Sequence, residues 1–283
     1  MIRDFQTRNG ELLLPEGITR LEGGALAGEG DIRRAVLPHS IDFIGEEVFS
    51  GCVKLEEVVL PPKVRELHAA VFSGCESLHT VLLPDELTMI GEGAFLNCTA
   101  LRQIRLPQAL REIRELAFWG TALEEISVGE TVELIGDSAF YDCRALKRVE
   151  VLNPRADMKR DVFGSCPALM EGYIAPGFPR EGNREAELLC SMLWCTCPER
   201  HTEQTAERAE KCLRERQAEV MEQVLKQNAV AVMTGLARRR LLSPAYIDGY
   251  VAKAVQRGLT EITALLLQAK GTARDETEEE FAL

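Results

Sequence analysis

Ile41-Asp42-Phe43-Ile44-Gly45-Glu46-Glu47-Val48-Phe49-Ser50-Gly51-Cys52-Val53-Lys54-Leu55-Glu56-Glu57-Val58-Val59-Leu60-Pro61 is one copy of a phrase that fills the first two-thirds of the chain. Its aromatic slot is held in turn by Leu26, Phe49, Phe72, Phe95, Phe118, Phe140 and Phe163, always 23 residues apart except for one step of 22. A fixed period in this range marks a solenoid in which every copy is one supersecondary unit. A lone copy has too little apolar surface to order itself, so the copies must stack.

Each copy carries two apolar phrases. The first reads Ile-x-x-Ile-Gly, as at Ile41/Ile44/Gly45, Leu87/Ile90/Gly91 and Val132/Ile135/Gly136. The second reads Leu-x-x-Val-x-Leu-Pro, as at Leu55/Val58/Leu60/Pro61 and Leu78/Val81/Leu83/Pro84. Its last three residues alternate apolar, polar or small, apolar, which is strand periodicity. The proline stops the strand, because it has no N–H for a ladder. Between the phrases, Ala/Val-Phe-x-Gly/Asn-Cys reads as a short helical or 3₁₀ turn that drives its ring into the core. The expected class is α+β: one parallel-sheet strand and one such turn per copy, followed by an all-α region.

The pattern Ile-x-x-Ile-Gly-x-x-Ala-Phe-x-x-Cys-x-x-Leu-x-x-Val-x-Leu-Pro resembles the BspA-like class of bacterial leucine-rich repeats over residues 14–176. The resemblance implies a curved right-handed coil with a parallel sheet along one side. It also implies binding of proteins or host ligands, often at a cell surface, and a cell-surface adhesin that lacks its export signal here is the alternative within the same class to a protein-binding scaffold. Three departures carry information. The first copy is Gly-rich and has Glu29 in the cysteine slot, so residues 1–17 are expected to form an N-terminal cap. The fifth copy is one residue short through Phe118-Trp119-Gly120-Thr121-Ala122-Leu123 and should change the curvature. The seventh decays after Leu169, and Pro176-Gly177-Phe178-Pro179 closes the array.

On these strands the residue between the last two apolar positions points away from the core. In order, that slot holds Val36, Val59, Leu82, Arg105, Ser127 and Glu150. Two residues earlier the same face shows Arg34, Glu57, Thr80, Gln103, Glu125 and Arg148. The row is apolar over three successive copies, and clustered exposed apolar groups suggest a contact surface. Arg34, Val36, Glu57, Val59, Thr80, Leu82, Gln103, Arg105 and Arg148 are therefore the candidate partner-binding residues. A protein partner is the leading reading, with cover by the helical region or self-association as other uses of the face.

Bulk composition narrows the alternatives. A formal charge of −12 over 283 residues opposes nucleic-acid binding, which needs a cationic footprint. No apolar run is long enough for a signal peptide or membrane insertion, so a cytoplasmic location is expected, or a surface one if the true N-terminus has been trimmed. Five of the nine cysteines (Cys52, Cys75, Cys98, Cys143, Cys166) share one repeat slot, as small buried hydrophobes would. Reduced thiols are the expectation.

Residues 179–273 change to helical periodicity. Helices are expected from Asn183 to before Pro198, over 202–227, 229–240, 244–257 and 260–270. The stretch Ala252–Gly271 resembles the helix pair of an ankyrin repeat. Residues 274–283 read as a disordered acidic tail. The search for chemistry returns no phosphate-cradling loop and no nucleophile elbow. Cys190-x4-Cys195-x-Cys197-x3-His201 has irregular spacing for zinc, and a metal- or thiol-dependent role there is the alternative from another class. No enzyme activity, cofactor or metal is assigned from the sequence.

Overall fold

A computed structural model describes residues 5–15, 17–153, 155–174, 184–196 and 203–280. Backbone contacts divide the chain into two compact units, one formed by the residues up to Leu169 together with Ile174, and one formed by Met170–Tyr173 and the helices. Met170 packs on the helical core. Residues 175–183 lie outside the described ones.

The first unit is a solenoid with two strands per coil rather than one. The Leu-x-x-Val-x-Leu phrases give Arg34–Val36, Glu57–Val59 and Thr80–Leu82, paired in parallel with Arg34 opposite Glu57 and Glu57 opposite Thr80. The Ile-x-x-Ile phrases give a second set of two-residue strands, Glu66–Leu67, Met89–Ile90, Glu112–Ile113, Leu134–Ile135 and Asp157–Met158, in one parallel sheet. Arg20–Leu21 and Phe43–Ile44 continue that side of the coil as a two-stranded sheet.

The phenylalanine segment is a run of tight turns, not the helical or 3₁₀ turn expected. Two left-handed residues per coil explain the difference. One slot holds Glu47, Ala70, Leu116, Ser138 and Asp161 at φ between 53° and 58°, and a second holds Asn97, Asp142 and Ser165 or glycine. Each left-handed residue interrupts right-handed winding. The turn N–H groups therefore bond to the next coil instead of within a helix: Phe49 to Val71 O at 2.9 Å, Phe72 to Ala94 O at 2.8 Å, Phe140 to Val162 O at 2.9 Å. The turns thus form a third ladder.

Inside the coil, the rings of Phe49, Phe72, Phe95, Phe118, Phe140 and Phe163 stack in one column, with centroids 5.1–5.5 Å apart. Beside it runs a thiol column. Cys52, Cys75, Cys98 and Cys166 each donate to a carbonyl 26 residues earlier at 3.1 Å. Burial pushes the Cys52 thiol up to about 11 and raises Cys75 and Cys98 further. These thiols are core groups.

The N-terminal cap is a hairpin. Asn9 and Gly10 sit at φ 54° and 82°, the signature of a two-residue type I′ turn. It joins Gln6–Arg8 to Glu11–Leu13 in antiparallel pairing, and Glu11–Leu13 then pairs in parallel with Arg34–Val36.

The second unit contains α1 (Arg184–Trp194), α2 (Glu203–Glu215), α3 (Gln217–Gln227), α4 (Val230–Arg238), α5 (Pro244–Gln256) and α6 (Thr260–Glu280). The expected 202–227 helix is broken at Arg216, where φ is −113° and ψ 27°. No glycine or proline marks the break. It coincides with buried Gln217, whose amide oxygen accepts the Ser243 N–H at 3.1 Å. α6 runs on to Glu280 through most of the stretch expected to be a disordered tail, whose residues 281–283 lie outside the described ones. It contains neither proline nor glycine after Gly271, and glutamate and arginine favour helix. Val224, Met233, Leu236, Ile247, Ile262 and Leu266 form the core of this unit.

Candidate binding face

The outward side of the first sheet is built by alternation. Ala35, Val58 and Val81 point into the core, which sends Val36, Val59 and Leu82 outward in one row. Val36 is 42% and Leu82 54% exposed, and Val59 between them is half-buried. Leu13, 42% exposed, extends the row onto the cap. It follows the Leu12–Ala35 pairing and so stands beside Val36. Four adjacent strands thus carry one apolar row, longer than the sequence reading gave. The signal for its extra member was the Asn9-Gly10 turn, which fixes the hairpin register.

The second row on this face is polar. Arg34 sits between Glu11 at 3.8 Å and Glu57 at 3.1 Å, and the Thr80 hydroxyl meets Nδ1 of His79 at 2.9 Å. These groups are wet, so the ion pairs order side chains more than they stabilise the fold.

The remaining candidates do not join this face. Residues 101–107 form no strand; Gln103 and Arg105 are exposed and Ile104 and Leu106 only half-buried. The coil that follows is one residue short. Its Glu124 N–H bonds back to Arg102 O, 22 residues earlier, whereas in the other coils the equivalent step is 23. The ladder restarts at Glu125–Val128, with Arg148 opposite Glu125 on a separate sheet. At the break, Glu124 is held below the usual carboxylate range by hydrogen bonds from Lys147 and Arg102.

A family model described as BspA type leucine rich repeat region (6 copies) matches residues 19–147 and 65–176, which together span more than half of the chain. The chain belongs to the BspA-type leucine-rich repeat family. Among solved structures, it is similar to a leucine-rich cell surface protein from Faecalibacterium prausnitzii A2-165, at 24% identity and a TM-score of 0.44, covering 61% of this chain and 54% of that one. It thus spans about half the length of that relative. The leucine-rich repeat protein of T. pallidum is 26% identical with a TM-score of 0.43, covering 61% and 71% of the two chains. A leucine-rich repeat protein from Bacteroides ovatus is 19% identical with a TM-score of 0.26, covering 60% and 68%. No curated protein matches.

The cysteine cluster of the helical unit offers little chemistry where it is described. Cys190, Cys195 and Cys212 are buried, and burial pushes the Cys195 thiol up to about 12. Among the described residues no group of His, Cys, Asp or Glu could hold a metal ion; Cys197 and His201 lie outside them. No described helix is long and apolar enough to cross a membrane.

Proposed function

We propose that this leucine-rich repeat protein is a non-enzymatic binding protein that captures a protein partner on the open face of its first sheet. The observation that carries the reading is the apolar row Leu13–Val36–Val59–Leu82, continuous over four hydrogen-bonded strands and bordered by Arg34, Glu57 and Thr80. Burying an exposed valine or leucine contributes about 1.5–3 kcal/mol, so such a row supplies the centre of an interface while the charged border selects orientation. The thiol column supports a reducing compartment as the place of action, since cytosolic conditions keep such groups unpaired.

The test is a Val36→Asp/Leu82→Asp double variant in affinity capture from the source cells, read by mass spectrometry. The proteins retained by the wild type should be lost, with the unfolding temperature moved by no more than a few degrees. Undiminished capture by the variant would end the proposal.

A further inference from the structure

The second sheet carries a pattern with twice the repeat period. Its outward positions alternate between an ion-pair rung and an apolar notch. The rungs are Arg20–Glu22 at 3.3 Å, Glu112–Arg114 at 2.7 Å and Asp157–Lys159 at 2.6 Å, with Glu66 and His68 in the same slots of the third coil. The notches pair Phe43 with Gly45, Met89 with Gly91, and Leu134 with Gly136.

Each notch glycine lies directly on the backbone of the preceding coil; a Cβ at Gly91 would meet the Leu67 carbonyl oxygen at 2.5 Å. A depression of about 430 Å³ lies between the Glu66/His68 and Glu112/Arg114 rungs, with Met89 and Gly91 among the residues that line it. Phe43 is flanked in the same way, with the Arg20 guanidinium 3.8 Å above its ring and His68 at 5.0 Å on the other side.

Neighbouring strands are about 4.7–4.9 Å apart, so notches two coils apart recur every 9.4–9.8 Å or so. A polyproline II helix has three residues per turn and a rise of 3.1 Å, which brings every third side chain to the same side about every 9.3 Å. The two periods agree closely enough to stay in phase over three notches. Charge selects among such ligands. Among the described residues, Glu46, Glu66 and Glu92 line the central notch without an ion-pair partner, whereas Arg111 and Arg114 there are engaged by Glu133 and Glu112. The uncompensated charge is negative.

We infer that the second sheet is a separate binding surface for a basic, proline-rich segment in the polyproline II conformation, laid along the solenoid axis with every third residue in a Phe43, Met89 or Leu134 notch. Its cationic residues meet Glu46, Glu66 and Glu92. The pre-formed extended helix loses little conformational freedom on docking.

The experiment uses the full chain and three fluorescent peptides in anisotropy titrations at 0.15 M salt: four Pro-Pro-Arg triplets, the same residues with the arginines gathered in one block, and four Gly-Gly-Arg triplets. The triplet proline peptide should bind at least tenfold tighter than either control. Met89→Lys should reduce that affinity tenfold or more, and the exposed Glu92→Gln, which leaves packing untouched, at least threefold. Leu82→Asp on the first sheet should leave it unchanged. Equal affinities for the three peptides, or full binding by Glu92→Gln and a folded Met89→Lys, would overturn the inference.

Discussion

The thiol of Cys75 donates to the carbonyl oxygen of Phe49 in the coil below, at 3.1 Å, and the same bond recurs from Cys52 to Leu26 and from Cys98 to Phe72. Cysteine in this slot combines a small apolar volume with one weak donor directed along the solenoid axis.

That environment makes stability fall in alkali. The folded Cys52 thiol is raised to about 11, above its unfolded value of about 8.5. The folded state holds its proton more tightly, so the contribution is complete below pH 8.5 or so and is lost as pH rises through 11. Per thiol, the slope in that window is about 1.4 kcal/mol per pH unit. Urea unfolding at pH 8, 9.5 and 10.5 should show Cys52→Ala less stable at pH 8 but with a slope shallower by one proton; an unchanged slope contradicts the assignment.

The phenylalanine column should respond according to position. Phe95 is fully buried between Phe72 and Phe118, and Phe95→Ala should cost about 3–5 kcal/mol. Phe163 ends the described stack and is 7% exposed, so Phe163→Ala should cost visibly less. Chemical denaturation of the two variants measures the difference.

Two backbone slots predict opposite signs. Gly91→Ala drives a methyl group into the Leu67 carbonyl and should lose about 1–3 kcal/mol as an overpacked site. Ala70 holds a left-handed conformation at φ 54°, which costs an L-residue about 1–2 kcal/mol. Ala70→Gly relieves that cost but loosens the unfolded chain by about 0.4–1 kcal/mol. A net gain, seen as a higher unfolding temperature, is the expected outcome.

The sequence was legible where side-chain chemistry repeats in phase. The Phe and Cys slots give the solenoid, and alternation at Val58-Val59-Leu60 gives the outward row before any coordinates. The second strand of each coil was not legible, because two residues such as Met89–Ile90 are too few to show a period. The turns misled for a different reason: Ala-Phe-x-x-Cys looks helical until the left-handed φ at Ala70 or Leu116 is known. Gln103 and Arg105 fall on the open face by repeat phase, yet residues 101–107 form no strand, which in-phase spacing alone does not reveal. The notches on the second sheet escaped notice because glycine at 45, 91 and 136 reads as a turn residue when each copy is inspected alone. Their meaning appears only when copies are compared in pairs.

Site-specific photo-crosslinking reports whether the apolar row is where a partner docks. A benzophenone side chain is placed at Val36, at Leu82, or at Val53, which is equally exposed at 43% but lies in a turn, and the protein is irradiated in extract of the source cells. One shared covalent adduct is expected at positions 36 and 82 and none at 53. Adduct yields at 53 equal to those at the two sheet positions would contradict it.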